Sequence, residues 1–393
     1  KHTRVPVSSV SDVRFEEEEE QYEVELEYVG PKDETLTPVD VQRITYSLKH
    51  YANIVNMTLQ NTVYYLSKDE RKRAEKAYLA FVRKHLKTVA DHYSVPFKKI
   101  QAHTAFVSPK PVSLSYEHLR TDNAVNINKN YTVTDKADGV SQLLFVCQRP
   151  RELRGHVYLI DHSLNITGTG IVCTKMAGSL LNGEWITKNK RQETTNMFCA
   201  YDCYVKQNET YFQRPLIPTR LSATQEVVAA LAPLSKHMQV QTKRFYFCKT
   251  PSDTIYTCSK KIWKNRDQYP YHVDGLIYTP ANLAVAYDER KGASSAARPG
   301  ATWAYNLKWK PPQENTVDFV VRFVQGTDAW QHVTLWMGDR VRVGRGQVYT
   351  TVPFSPLKRR DASYTVRWSK NSRGHVEDSF GFQIVSDTVI ECG

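Results

Sequence analysis

The sequence predicts an α+β protein. Two helical patterns stand near the N-terminus, short strand patterns begin near residue 131, and everything after Pro312 reads as strand again. At 393 residues the chain exceeds one ordinary hydrophobic core, so two or three domains are expected.

The opening segment ends in RFEEEEEQYEVELEYVG. From Tyr22 to Tyr28 the residues alternate as a strand, with Glu23, Glu25 and Glu27 on one face and Val24 and Leu26 on the other. The EEEEE run before it reads as a solvated acidic loop. TPVDVQRITYSLKHYANIVNMTLQN then predicts a helix, with Thr37 as N-cap and Pro38 in the first helical position. SKDERKRAEKAYLAFVRKHLKTVADHY predicts a second helix. Ser67 and Glu70 form its capping box, and Ala74, Ala77, Tyr78, Phe81, Val82 and Leu86 its apolar stripe.

From 131 onward come YTVTDKADG, SQLLFVCQ, HVYLIDH, TGIVCT and NMFCAYDCYV, then a helix in LSATQEVVAALAPLSKHM and a strand in KRFYFCK. DERKGASSAARPGA, 288 to 301, is rich in small and helix-breaking residues and reads as a mobile surface loop. The closing strands (TVDFVVRFV, WQHVTLWMG, RVRVGRGQVYTTV, YTVRW, SFGFQIV, DTVIEC) have the spacing of a small β-barrel. The expected segments are 1–35, the end of a β domain; 36–100, a helical linker; 101–312, the main domain; and 313–393, the barrel.

Lys and Arg number 53 against 41 Asp and Glu, an excess of +12, which favours polyanionic partners such as nucleic acid or nucleoside triphosphate. The seven cysteines are odd in number and scattered, without a second Cys/His pair beside Cys199 and Cys203, which argues against a zinc site and for a reducing cytoplasm. No apolar run approaches the ~18 residues needed to cross a membrane. The start, KHTRVPVSSV, has neither a signal peptide nor a methionine, so a piece of a longer polypeptide is expected.

Four ordered stretches carry chemistry. YTVTDKADGV holds Lys136 between Asp135 and Asp138, followed by Gly139. A K-x-D-G match arises by chance roughly 0.1 times in a chain this long. LLNGEWI carries Glu184 on an apolar strand, and HVDGLIYTP carries Asp274 beside a glycine. NLKWKPP sets Lys308 and Lys310 on one strand face, with Trp309 on the other. Between the second and third stretches lies MFCAYDCYV, with Tyr201 before Asp202. Lys243, Arg244 and Lys249, flanking FYF, read as a solvated face.

This set, in this order, resembles the lysine nucleotidyltransferases, which comprise mRNA capping guanylyltransferases and ATP- or NAD-dependent polynucleotide ligases. NLKWKPPQENTVDFVVRF looks like capping enzymes rather than ligases, and YTVTDKADG with HVDGLIYTP is closer still to those of large cytoplasmic DNA viruses. The resemblance implies a nucleotidyltransferase domain of antiparallel sheets and helices with a C-terminal OB-fold β-barrel. Lys136 is then the nucleophile. Asp138, Gly139, Tyr201, Arg220, Lys308 and Lys310 contact the nucleotide, with Tyr201 stacked on the base and Phe198 the competing aromatic. Glu184 and Asp274 hold Mg²⁺ or Mn²⁺. The implied substrates are GTP and 5′-diphosphate RNA, in the cytoplasm, with triphosphatase and methyltransferase domains on the same polypeptide. Glu23, Glu25 and Glu27 resemble the last metal-binding strand of such a triphosphatase. The other readings are an ATP-dependent polynucleotide ligase and a catalytically degenerate module that binds RNA or a partner.

The chemistry needs these residue types. Only about one free lysine in two thousand is neutral at pH 7, and attack on an α-phosphate requires the neutral amine. Nearby cations favour that form, whereas Asp135 and Asp138 favour ammonium. Three positions depart from the family pattern. Ser141 stands where an arginine is usual, Asn182 replaces the common aspartate of Asp-Gly-Glu, and Arg367-Trp368-Ser369-Lys370 does not reproduce the family's C-terminal motif. Either the natural protein continues past Gly393, or this chain transfers nucleotide poorly.

Overall fold

The computed structural model describes residues 2–3, 21–22, 24–30, 36–59, 62, 64–85, 105–250, 252–287, 302–312, 317–343, 346–354, 365–377, 383–387 and 389–392. The chain divides into two compact units, Lys1–Trp309 and Lys310–Gly393. Among the described residues no helix is long and apolar enough to cross a membrane.

At the N-terminus β1 (His2–Thr3) pairs with β2 (Gln21–Tyr22). The expected glutamate strand does not form: residues 24–30 lie in no strand, and Val24 and Leu26 are as exposed as Glu25 and Glu27. Alternation had sorted these side chains into two faces, but neither face is covered. Glu23 and the loop at 288–301 lie outside the described residues.

Helix α1 (Pro38–Leu59) is capped as expected, the Asp40 N–H donating to Thr37 Oγ1 at 3.2 Å, and it buries no residue. Helix α2 (Lys68–His85) starts with the Glu70 N–H donating to Ser67 Oγ at 3.1 Å. It is part of the core rather than a linker, because Ala74, Tyr78, Phe81 and Val82 are buried against the first large sheet.

That sheet has the order β10-β9-β8-β5-β6-β7. It comprises β5 (Val140–Val146), β6 (His156–Ile160), β7 (Ile166–Val172), β8 (Ser179–Lys188), β9 (Thr194–Lys206) and β10 (Glu209–Thr210). β11 (Gln239–Thr242) adds to β9 in parallel. Strand alternation explains its two covers. Leu143 and Phe145 of β5 face α2, whereas Leu144 and Val146 face α3 (Leu221–Leu231) through Ala223, Val227 and Leu231.

The second sheet has the order β3-β13-β12-β4, from β3 (Lys110–Ser113), β4 (Tyr131–Ala137), β12 (Val273–Pro280) and β13 (Thr302–Trp309). Its inner face, with Tyr131, Val133, Leu276, Tyr278, Tyr305 and Leu307, packs on α4 (Ile255–Lys264). This helix has no counterpart in the sequence-based expectation, although Ile255, Cys258 and Ile262 keep helical spacing and Thr254 caps it. The chain crosses between the sheets twice. Asp138-Gly139 joins β4 to β5, and residues 243–246 lead from β11 to a backbone bridge between Tyr246 and Val133. KRFYFCK is thus a crossover, not a strand.

The C-terminal unit is antiparallel β structure in the order β16-β15-β14-β20, with β17 also on β15. The strands are β14 (Val317–Gly326), β15 (Trp330–Val343), β16 (Gly346–Pro353), β17 (Thr365–Ser369) and β20 (Val389–Cys392). β18 (Val376–Glu377) and β19 (Gln383–Ile384) pair separately. β15 pairs with β17 over Trp330–Thr334 and with β16 from Trp336 onward, around a core of Phe319, Val321, Val333 and Leu335.

Phe145 is 1% exposed, its ring 5.7 Å from that of Tyr78 and 5.1 Å from that of Phe81, so it is the main anchor of α2. Phe145→Ala is expected to lower stability by ~3–5 kcal/mol, read from urea unfolding.

Candidate active site

On β4, Tyr131 and Val133 point into the α4 core, so Thr134 and Lys136 point the other way and line a cavity of about 390 Å³ between the two sheets. The facing wall comes from Ser141 on β5, Asn182 and Glu184 on β8, and Tyr201, Asp202 and Tyr204 on β9. Alternation accounts for Asn182 and Glu184 sharing a face. It does not account for adjacent Tyr201 and Asp202 both reaching the cavity.

Two β-bulges resolve this. Across β8 and β9, Asn182 is opposite Asp202 and Gly183 opposite Ala200, so Tyr201 is the extra residue. Across β12 and β4, Val273 is opposite Ala137 and Gly275 opposite Lys136, so Asp274 is the extra residue. A bulge re-aims the side chain it carries. Here it brings the Asp274 carboxylate onto Lys136, whose Nζ donates to Oδ2 at 2.7 Å and to Oδ1 at 2.8 Å. The competing aromatic, Phe198, is fully buried under α3 and is excluded from the cavity wall.

The expected solvated lysine at 243 is in fact buried at 5% exposure and lines the cavity. Its Nζ donates to Glu184 Oε2 at 2.7 Å and to the Asp135 carbonyl at 3.1 Å, with the Asp135 carboxylate at 3.5 Å. Burial alone would pull the Lys243 pKa down. The Glu184 and Asp135 carboxylates outweigh it and hold the pKa well above the ordinary lysine value. Asp135 is fully buried on the face opposite Lys136, where Tyr271 also donates to it at 2.9 Å. Its charge therefore serves Lys243 rather than the neighbouring lysine. No sequence signal marks Lys243, because its partners lie 59 and 108 residues away in the chain. Burial, then the Glu184 charge, push the Tyr201 phenol up to about 12, so it stays neutral, and Lys243 Nζ sits 5.9 Å from its ring centroid.

Both motif glycines are explained by close approach. A Cβ at Gly139 would lie 2.8 Å from Glu184 Cγ and 2.9 Å from the Trp185 carbonyl oxygen, and one at Gly183 would lie 2.3 Å from the Phe198 ring. Asp138 and Gly139 do not line the cavity. Asp138 is exposed, and its N–H donates to the His272 carbonyl at 3.0 Å. Their place is the crossover that delivers Lys136.

Arg220, expected at the nucleotide, is instead fully buried. Its guanidinium donates to Asp202 at 2.7 and 3.1 Å and to the Leu283 carbonyl at 2.8 Å, so it positions Asp202 in the cavity wall. Lys308 lies on β13 opposite Ile277, on the same face as the lining residue Asn306, but outside the lining itself. β13 ends at Trp309, so Lys310 is not its strand neighbour and instead opens the C-terminal unit. Among the described residues no three His, Cys, Asp or Glu side chains gather as a metal cluster. Glu184, on the cavity wall, and Asp274, outside its lining, are hard oxygen donors on separate strands, each held by a lysine. This fits a Mg²⁺-type ion that takes one or two carboxylates and completes its shell with phosphate and water.

Lys243→Ala would leave Asp135 and Glu184 without their buried cation. A loss of ~3–5 kcal/mol in urea-unfolding stability is expected, with Lys243→Arg recovering part of it.

Residues 61–292, more than half of the chain, match the family model of the mRNA capping enzyme, catalytic domain. The chain is 24% identical over 233 residues to the mRNA-capping enzyme subunit alpha of Kluyveromyces lactis, covering 54% of this chain and 46% of that protein. It is 25% identical over 238 residues to the Saccharomyces cerevisiae subunit alpha, covering 54% and 49%. It is 24% identical over 272 residues to a probable mRNA-capping enzyme of Acanthamoeba polyphaga mimivirus, covering 54% and 22%. The matched region thus spans about half the length of the fungal relatives, and less of the viral one. The chain belongs to the family of mRNA capping enzyme catalytic domains.

Proposed function

We propose that the chain is an RNA guanylyltransferase. The observation that carries this reading is Lys136 Nζ, presented into a cavity between two sheets and held by an aspartate that a bulge places there. The Nζ lone pair attacks the α-phosphorus of GTP. A P–N bond forms, the bond to the bridging oxygen breaks, and pyrophosphate leaves. The terminal phosphate oxygen of a 5′-diphosphate RNA then attacks the same phosphorus, the P–N bond breaks, and the G(5′)ppp(5′) cap is released.

The residues divide this work. Two hydrogen bonds from Lys136 to Asp274 fix where the nitrogen points and keep Nζ engaged, so this pair must loosen before attack. The triphosphate, entering as a polyanion, meets Lys136 and Lys243 on the cavity wall. Tyr201 offers its ring to the base, and Lys308, on the same face of β13 as the lining residue Asn306, supplies charge toward the phosphates. Glu184 and Asp274 would hold Mg²⁺ or Mn²⁺, which supplies charge neutralisation at the phosphates.

The family match and the named relatives support capping over ligation. The antiparallel C-terminal unit is read as the OB-fold domain of such an enzyme. Triphosphatase and methyltransferase domains would lie on the same polypeptide, and Glu25 and Glu27 would belong to the former. A viral setting accords with the mimivirus relative.

Incubation with α-phosphate-labelled GTP and magnesium or manganese is expected to label the protein covalently. ATP is expected not to label it, and Lys136→Ala to abolish the label. Labelling by ATP alone would mark a ligase-type enzyme. RNA binding that Lys136→Ala leaves intact, with no adduct from either nucleotide, would mark a degenerate module.

A further inference from the structure

The crossover KRFYFCK, residues 243–249, leaves the cavity carrying side chains that the reaction does not use. Its first and third residues, Lys243 and Phe245, line the cavity. The backbone then runs antiparallel beside β4. The Val133 N–H donates to the Tyr246 carbonyl and the Tyr246 N–H to the Val133 carbonyl, both at 2.8 Å, and Thr134 Oγ1 donates to the Arg244 carbonyl at 2.9 Å. Lys136 stands three residues after Val133, and Lys249 three residues after Tyr246 in the opposite direction. The run thus starts level with Lys136 and ends at an exposed residue at most roughly 20 Å away. That is the length of a few extended nucleotides.

The side chains along it suit a particular ligand. Arg244 and Lys249 are exposed. Phe247 is half-buried, with Lys249 Nζ 5.3 Å from its ring centroid. Arg244 donates to the Tyr246 hydroxyl at 3.5 Å, and among the described residues neither Arg244 nor Lys249 reaches a carboxylate. Asp253, the nearest acid in the chain, accepts from the Lys249 and Thr250 N–H groups at 3.1 and 3.0 Å and from Thr250 Oγ1 at 3.0 Å, so it ties down the end of the run. Lys136 and Lys243, by contrast, are already held by Asp274 and Glu184. Outside the cavity, therefore, a polyanion meets two cations that it can pair without displacing an acid. Unpaired cations beside an aromatic ring on an extended run are what single-stranded nucleic acid binds, its phosphates following the charge and a base meeting the ring.

We propose that this crossover is the track of the acceptor RNA, with a leading base on Phe247 and phosphates at Arg244 and Lys249. This rests on the guanylyltransferase reading and adds to it how the second substrate is held. A nucleoside triphosphate has a single base, which Tyr201 takes in that reading. An RNA brings further bases, and a phosphate with each, and so can use a surface that leads away from Lys136.

The test is fluorescence anisotropy of a labelled single-stranded decanucleotide RNA with a 5′-diphosphate, without GTP or metal. The proteins are the wild type, the double variant Arg244→Gln/Lys249→Gln, Phe247→Leu, Phe247→Tyr, and a control, Lys175→Gln/Lys236→Gln, which removes two exposed lysines outside the crossover and the cavity lining. The Arg244/Lys249 variant is expected to bind about 10-fold more weakly at 0.1 M salt. Its slope of log affinity against log salt should flatten by ~1.4, for two lost phosphate contacts on a single strand. Phe247→Leu is expected to lose about 5- to 50-fold with an unchanged slope, and Phe247→Tyr, which keeps a ring, to bind as the wild type. If Phe247→Leu fails to fold by thermal melting, Phe247→Met takes its place with the same expectation. A 5′-diphosphate dinucleotide, measured by competition, is expected to lose far less in every variant. A control that weakens binding as much as the Arg244/Lys249 variant would overturn the proposal, since the charge would then act diffusely. So would wild-type affinity in Phe247→Leu, or an equal loss with the dinucleotide, which would assign the cations to the 5′-diphosphate alone. Covalent labelling by GTP is followed in parallel and is expected to be unchanged in all these variants. No adduct, with the length-dependent loss intact, contradicts the reaction and supports the track, whereas an adduct without that loss contradicts the track.

Discussion

The site depends on pairing two lysines, Lys243 buried and Lys136 half-buried, at the seam between two sheets. Lys136 and Lys243 are held by carboxylates from other strands, Asp274 for the first and Glu184 with Asp135 for the second. Charges taken out of water in this way are tolerated only when paired and hydrogen-bonded. The pairing therefore fixes how the sheets meet. Lys243 joins Glu184 on the first sheet to Asp135 on the second, and Lys136 joins two strands of the second sheet. A wall of this kind carries both signs of charge. A polyanion can take over the lysines, and a hard cation the carboxylates, without leaving a buried group unpaired. That exchange is the physical link that the proposed nucleotide chemistry requires.

The geometry comes from local departures from regular strands. Two bulges supply Tyr201 and Asp274, and a glycine at each of two tight approaches, Gly139 and Gly183, lets backbone pass where a Cβ would strike a neighbour. The glycines belong to the packing of the crossover and of β8 against β9. In the proposed reaction they would act by placing Lys136 and Glu184 rather than by touching substrate.

Much of this was legible in the sequence, and the reason differs by residue. Lys136, Glu184 and Tyr201 stood out because their motifs are short, ordered and local, and the structure brings all three to line one cavity. Helices α1 and α2 were found through their caps and, for α2, a regular apolar stripe. What escaped depends on contacts distant in sequence. Lys243 stands next to Arg244 in a run that reads as solvated, and only its partners reveal its burial. Arg220 sits where a nucleotide contact was expected, yet Asp202 claims it from within. The glutamate strand failed because alternation states which faces a strand would have, not whether anything covers them. Helix α4 was missed because it is short and polar, with a single buried row.

The central claim is that Lys136 Nζ becomes bonded to the α-phosphorus of GTP. Peptide mapping by mass spectrometry after incubation with GTP and magnesium tests it most directly. The expected result is a GMP-sized addition on the peptide containing Lys136, labile to acid and stable to alkali as a phosphoramidate should be. A GMP addition on the peptide containing Lys243, or on none, would contradict the account.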